Sequence, residues 1–194
     1  NLNSAVADFM NTLPLEISLP RRQFLRTSAA GMALMATIPL SWAAGLQPGD
    51  TLPDLKSLQL EGTLPDLSGK VVHLDFWASW CVPCRQSFPV LENLHQTYGS
   101  KGYVLIGVSM DERQPDMDRF LKKNPVSFAT VRDAHEKLAS KVRPPGMPTS
   151  YFFGPEGRLD SVHPKYEGEA TRKKYVEIIE RLLKTVKAST LSIE

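Results

Sequence analysis

The stretch Leu74-Asp75-Phe76-Trp77-Ala78-Ser79-Trp80-Cys81-Val82-Pro83-Cys84 joins an apolar run to a pair of cysteines three residues apart. Upstream, Val71-Val72-His73 completes a nearly continuous apolar segment from Val71 to Trp77, bounded by Gly69. Such a run is expected of a strand buried on both faces. Downstream, Phe88, Leu91, Leu94 and His95 recur at helical spacing, so Val82–Tyr98 reads as a helix. Pro83 suits its first turn, where no intrahelical N–H is needed, and Pro89 should kink it. The two thiols therefore fall where a strand hands over to a helix. Backbone N–H groups and the helix dipole favour a negative charge there, which would lower the pKa of Cys81 and make it the reactive thiolate. Cys84, one turn on, is close enough to bridge it. The spacing builds an attacking and a resolving thiol.

Other uses of a cysteine pair are weaker. A zinc site needs about four ligands, and the chain has no second pair: its cysteines number 2. His73 and His95 could be recruited in principle, but His73 lies mid-strand. A copper- or zinc-binding module on these thiols stays an alternative. A structural disulfide closing so short a loop would constrain the unfolded chain little. No cofactor motif is evident, and no metal or cofactor is expected.

Working outward, Tyr103–Val108 is a second buried strand, closed by Ser109. Pro115 opens a helix through Asn124; Phe128–Val131 is a short strand and Ala134–Val142 a short helix. Ser150–Phe153 and Arg158–His163 flank Gly154-Pro155-Glu156-Gly157, a hairpin turn. Tyr175, Ile178, Ile179, Leu182 and Val186 mark an amphipathic helix over Thr171–Lys187. Gly45–Gly69, rich in Pro, Gly and Asp, reads as a lead-in segment, expected as an N-terminal hairpin. Strands alternating with helices, then a hairpin and a last helix, predict an α/β fold: a central mixed sheet flanked by helices.

The chain has 194 residues, 23 basic against 21 acidic side chains, and 42% hydrophobic residues. That balance is globular and argues against a disordered or multi-span membrane protein. A net charge of +2 gives no electrostatic case for nucleic-acid binding. From Ile17 to Gly49 there is no acidic residue. Pro20-Arg21-Arg22-Gln23-Phe24-Leu25-Arg26, an apolar stretch to Leu40, and Ser41-Trp42-Ala43-Ala44 have the order of an export signal. Residues 1–43 are thus expected to be a leader cleaved after Ala43, and 44–194 the functional domain. The apolar stretch is too short and too interrupted for a comfortable span, although an uncleaved leader could anchor the chain. Arg21-Arg22 resembles the twin-arginine export signal, the alternative being a general secretory signal.

The Leu74–Cys84 block resembles the active-site strand and turn of the thioredoxin superfamily. Pro89 matches that family's kinking proline, and Gly146-Met147-Pro148-Thr149 its cis-proline loop. With the leader and Pro53-Asp54, the chain is similar to the TlpA/ResA-type thiol–disulfide oxidoreductases of the bacterial periplasm, over roughly Leu46–Lys187. The resemblance implies a thioredoxin-like fold. It makes Cys81 the nucleophile, Cys84 the resolver and Asp75 the buried acid shuttling a proton near Cys84. Many proteins of that type are expected to carry a different polar residue at the Asp75 position, so this position departs toward thioredoxin itself. Met147 and Pro148 would pair with an extended client segment by strand addition, and Trp80 would shield Cys81 and offer partners an apolar contact. His73 shares a strand face with Asp75 and is expected as an ordinary packed histidine. Arg85 could favour the thiolate or simply face solvent. The implied activity is reduction of disulfides in client proteins, such as apocytochrome c or metal-centre assembly proteins. A membrane thiol–disulfide electron donor would recharge it in the periplasm. Oxidation or isomerisation of secreted proteins is the other enzymatic reading.

Overall fold

β1 (Val71–Trp77) is buried along its whole length, as an unbroken apolar run requires. It pairs in parallel with β2 (Tyr103–Ser109) and antiparallel with β4 (Thr149–Phe153). β3 (Ala129–Arg132) continues the sheet in parallel beyond β2, and β5 (Leu159–Pro164) closes it antiparallel on β4. The order is β3-β2-β1-β4-β5. Parallel neighbours need a crossover, supplied by α1 (Val82–Tyr98) between β1 and β2 and α2 (Gln114–Lys123) between β2 and β3. α3 (Lys137–Val142) precedes β4, and α4 (Glu169–Leu191) follows β5. The Gly154–Gly157 turn joins β4 to β5, with Gly157 at φ 73° where a side chain would strain the backbone.

The computed structural model describes residues 45–191, with side chains to 186. The export signal expected over residues 1–43 lies outside them. Among the described residues, no helix is long and apolar enough to cross a membrane.

Alternation along β1 divides the interior in two. Val71 and Trp77 face a layer built with Cys81, Cys84, Phe88 and Leu91 at the start and along the length of α1 and with Tyr175, Ile179 and Leu182 of α4. Val72, Leu74 and Phe76 face the other layer, with Leu138 and Val142 of α3 and Leu55 and Leu58 of the N-terminal segment. Asp75 belongs by register to the first face.

The N-terminal segment differs from the expected hairpin. Asp54 caps a 3-10 turn at Leu55–Leu58, accepting from the Lys56 N–H. Thr51 bridges to Arg158 beside β5, and Glu61 bridges to Arg132 at the end of β3. The segment thus crosses the second face from one sheet edge to the other. Pro53 and Pro65 deny ladder N–H groups to a regular hairpin, and the leucines between them are better buried on the sheet than on each other.

Candidate active site

Cys81 is the N-cap of α1, in extended conformation, with Pro83 inside the first turn. Its Sγ accepts the Cys84 N–H at 3.2 Å, so the helix start points a donor at the sulfur, as the sequence position implies. The two cysteines form a disulfide. Cys84 is 0% exposed and Cys81 5%, while the flanking Trp80 and Val82 are 66% and 58% exposed. Trp80, Val82 and the edge of Cys81 thus form the solvent-facing side of the cysteine pair. Arg85 is exposed on the outer face of the helix, and Trp77 lies beneath the site, edge-on to Phe88 at 4.8 Å.

The turn carrying the dithiol is tied to β2 by a residue that the sequence offers no motif for. Asp111, 3% exposed, accepts from the Ser79 N–H with both oxygens at 3.1 Å, from Ser79 Oγ at 2.7 Å and from Ser109 Oγ at 2.8 Å. A charged acceptor bonded this fully is a strong anchor. It holds the chain two residues before Cys81.

The Met147–Pro148 peptide bond is cis. Thr149 Oγ1 donates to the Gly146 carbonyl at 2.7 Å across this bend. Met147 is half-buried and packs on the layer that contains both cysteines. A cleft of about 680 Å³ opens here, lined by Trp80, Gly146, Met147, Asp111 and Glu112 among others. Trp80 and Met147, placed 67 positions apart by the sequence numbering, thus border one surface.

Asp75 is 1% exposed. Its Oδ1 accepts from Ser150 Oγ at 2.6 Å, and Ser150 Oγ accepts from Tyr175 OH at 2.9 Å. Burial pushes the Asp75 carboxyl up to about 7, against the Ser150 bond, which favours the charged form. His73, beside it on the strand, is the packed histidine expected. Its Nδ1 shares a 2.7 Å hydrogen bond with Tyr103 OH, its ring stacks on Phe152 at 4.1 Å, and burial pushes its pKa down to about 3. That Ser150 and Tyr175 hold this carboxyl was not legible in the sequence: one is a strand serine, the other an apolar position of an amphipathic helix. Among the described residues, no group of three or more His, Cys, Asp or Glu side chains is placed to hold a metal ion.

A family model described as thioredoxin-like matches residues 69–159. The chain is similar to the thiol-disulfide oxidoreductase ResA of Bacillus subtilis, 30% identical over 151 residues, covering 73% of this chain and 84% of the relative. It belongs to the ResA-type thiol–disulfide oxidoreductases. The ResA of Oceanobacillus iheyensis is 28% identical over 73% of this chain and 81% of its own length. Among solved structures, a protein from Chlorobium tepidum described as a thiol:disulfide interchange protein DsbE superposes with a TM-score of 0.66 at 34% identity, over 71% of this chain and 99% of that one. Within this thioredoxin-like family the activity is thiol–disulfide exchange, and Cys81 and Cys84 are the chain's cysteine pair.

Proposed function

We propose that the chain reduces disulfides of client proteins outside the cytoplasm, with Cys81 as nucleophile and Cys84 as resolver. The observation that carries this reading is the placing of one dithiol at a helix start, its inner sulfur sealed and its outer one bordered by Trp80. The Cys81 thiolate attacks one sulfur of a client disulfide; that bond breaks, a mixed disulfide forms and the other client sulfur leaves as thiolate. Cys84 then gives its proton to the Asp75 carboxylate and attacks Cys81 Sγ. The Cys81–Cys84 disulfide forms, and the second client sulfur leaves. Two electrons pass from the dithiol to the client. A carboxyl titrating at about 7 is half-ionised near neutral pH, which suits a group that must both take and return a proton. The Met147–Pro148 segment pairs with the client main chain, and Trp80 covers its apolar flank.

The leader-like residues 1–43 support export, and with it a periplasmic setting in which a membrane thiol–disulfide donor returns the electrons. Resemblance to the ResA group favours apocytochrome c or a metal-centre assembly protein as client. The Cys84→Ser variant tests the assignment: it should accumulate mixed disulfides through Cys81, identifiable by mass spectrometry after thiol trapping. Equal trapping by Cys81→Ser, with none by Cys84→Ser, would reverse nucleophile and resolver. A reduction potential near about −270 mV fits a reductase, whereas one near about −120 mV makes the protein an oxidant.

A further inference from the structure

Asp75 is held by two hydroxyls that lie far from it in sequence. Asp75 and Ser150 face each other across the β1–β4 ladder, and Tyr175 reaches them from α4 with 2% exposure. A serine hydroxyl has one proton. By giving it to Asp75 Oδ1 at 2.6 Å, Ser150 presents its lone pairs to Tyr175, whose phenol donates at 2.9 Å. The chain Tyr175–Ser150–Asp75 is therefore polarised toward the carboxylate, each donor strengthening the next in a dry interior. Asp75 Oδ2 is buried and has no hydrogen-bond partner among the described residues, so the relay holds one oxygen and leaves the other without a competing donor.

The other groups around this acid supply no positive charge to replace the relay. On its own strand, burial keeps His73 neutral down to about 3. Across the sheet, burial also pushes His163 of β5 down. Tyr103 of β2 is pushed well above its ordinary value by burial and then by Asp75 itself. Burial likewise pushes Tyr175 of α4 up, and Asp75 adds to that shift. The Ser150 hydroxyl is the contact that opposes burial and favours the charged acid.

We propose that Ser150 and Tyr175 are positioning residues of the exchange reaction, a two-hydroxyl relay that sets how readily Asp75 takes and returns a proton. The reading rests on the role of Asp75 proposed above, and its test separates the two. In the oxidised full chain, where neither cysteine titrates, carboxyl 13C NMR follows Asp75 directly. Ser150→Ala should move its midpoint up by about one pH unit, the size expected for one lost bond to a charged acceptor. Tyr175→Phe keeps the ring and should move it the same way by less. Stopped-flow release of a reduced fluorescent peptide from its Cys81 mixed disulfide supplies the second readout. At pH 7 the Ser150→Ala rate should fall about fivefold and recover near pH 9, because the ionised fraction drops from about a half to about a tenth. An Asp75 midpoint unmoved in both variants overturns the relay. A moved midpoint with an unchanged rate profile upholds the relay and overturns the role of Asp75 in exchange.

Discussion

Asp75 and His73, two residues apart and both sealed in the interior, load opposite protonation costs onto the same pH range. Asp75 titrates at about 7 when folded against an ordinary 3.8, raised chiefly by burial. The folded state holds that proton more tightly, so the contribution to stability is present below 3.8 and is lost as pH rises toward 7. His73 titrates at about 3 when folded against 6.5, lowered chiefly by burial and then by His163. Its contribution is present above 6.5 and is lost as pH falls toward 3. Between pH 6.5 and 4 the two slopes, each about 1.4 kcal/mol per pH unit, oppose one another. Asp75→Asn removes one and exposes the other. Urea denaturation of the oxidised variant should show stability falling by roughly 3 kcal/mol more than wild type across that window. Parallel curves for the two proteins would falsify the buried ionisation of Asp75. The dithiol was legible at this scale because the Cys81 to Cys84 spacing at a strand-to-helix junction singles the pair out, and the resemblance of the surrounding block favours redox chemistry over metal binding. The relay was not, because Ser150 and Tyr175 acquire their meaning from a cross-strand register and a helix packed over it.

At the scale of elements, the helix that carries the dithiol has the bounds that the sequence suggests, Val82–Tyr98. Cys81 and Pro83 start it and Gly99 follows it, all local signals. α3 starts at Lys137 rather than Ala134 because Asp133 works from outside the helix. Its carboxylate accepts the N–H groups of Lys137, Leu138 and Ala139 at 2.8 to 2.9 Å, and Glu136 turns into the left-handed region at φ 51°. Asp133→Ala should cost about 1–2 kcal/mol, the value of a lost helix cap, read as a lower urea midpoint with an unchanged slope. The hairpin expected of the N-terminal segment is replaced by a crossing strap, and Gly62 shows how closely it is pressed down. Gly62 adopts φ 130°, and a Cβ there would lie 2.8 Å from the Thr130 carbonyl oxygen. Gly62→Ala should destabilise by about 1–3 kcal/mol through backbone strain and that contact, measured by the same denaturation.

Across the whole molecule, the strap is part of the core. Leu55 and Leu58 are 3% and 5% exposed, and Leu46, Leu52, Leu60, Leu64 and Leu67 pack around them on the sheet. Burial of a single leucine is worth about 1.5–3 kcal/mol, against a total stability of about 5–15 kcal/mol for a domain. Arg132 adds a polar clasp at the far edge, with Nη2 2.7 Å from Glu61 Oε2 and Nη1 donating to the Glu112 carbonyl at 2.8 Å. A chain beginning at Lys70 keeps every strand and the dithiol, yet should lose cooperative unfolding and bind a hydrophobic dye. A sharp thermal transition in that truncation would show the strap to be dispensable.

The sequence by itself determined the alternation of strands and helices, the burial of β1 and the placing of Cys81 and Cys84 where a strand hands over to a helix. These depend on periodicity and on residues within one helical turn of each other, so neighbours along the chain are enough to state them. Tertiary structure alone decided which remote groups serve the site: Asp111 clamping Ser79, Ser150 and Tyr175 holding Asp75, and the leucine strap closing the second face. Single hydrogen bonds between residues 25 to 75 positions apart leave no periodic trace in a sequence. They exist because sheet register and helix packing bring those atoms within 3.1 Å of one another.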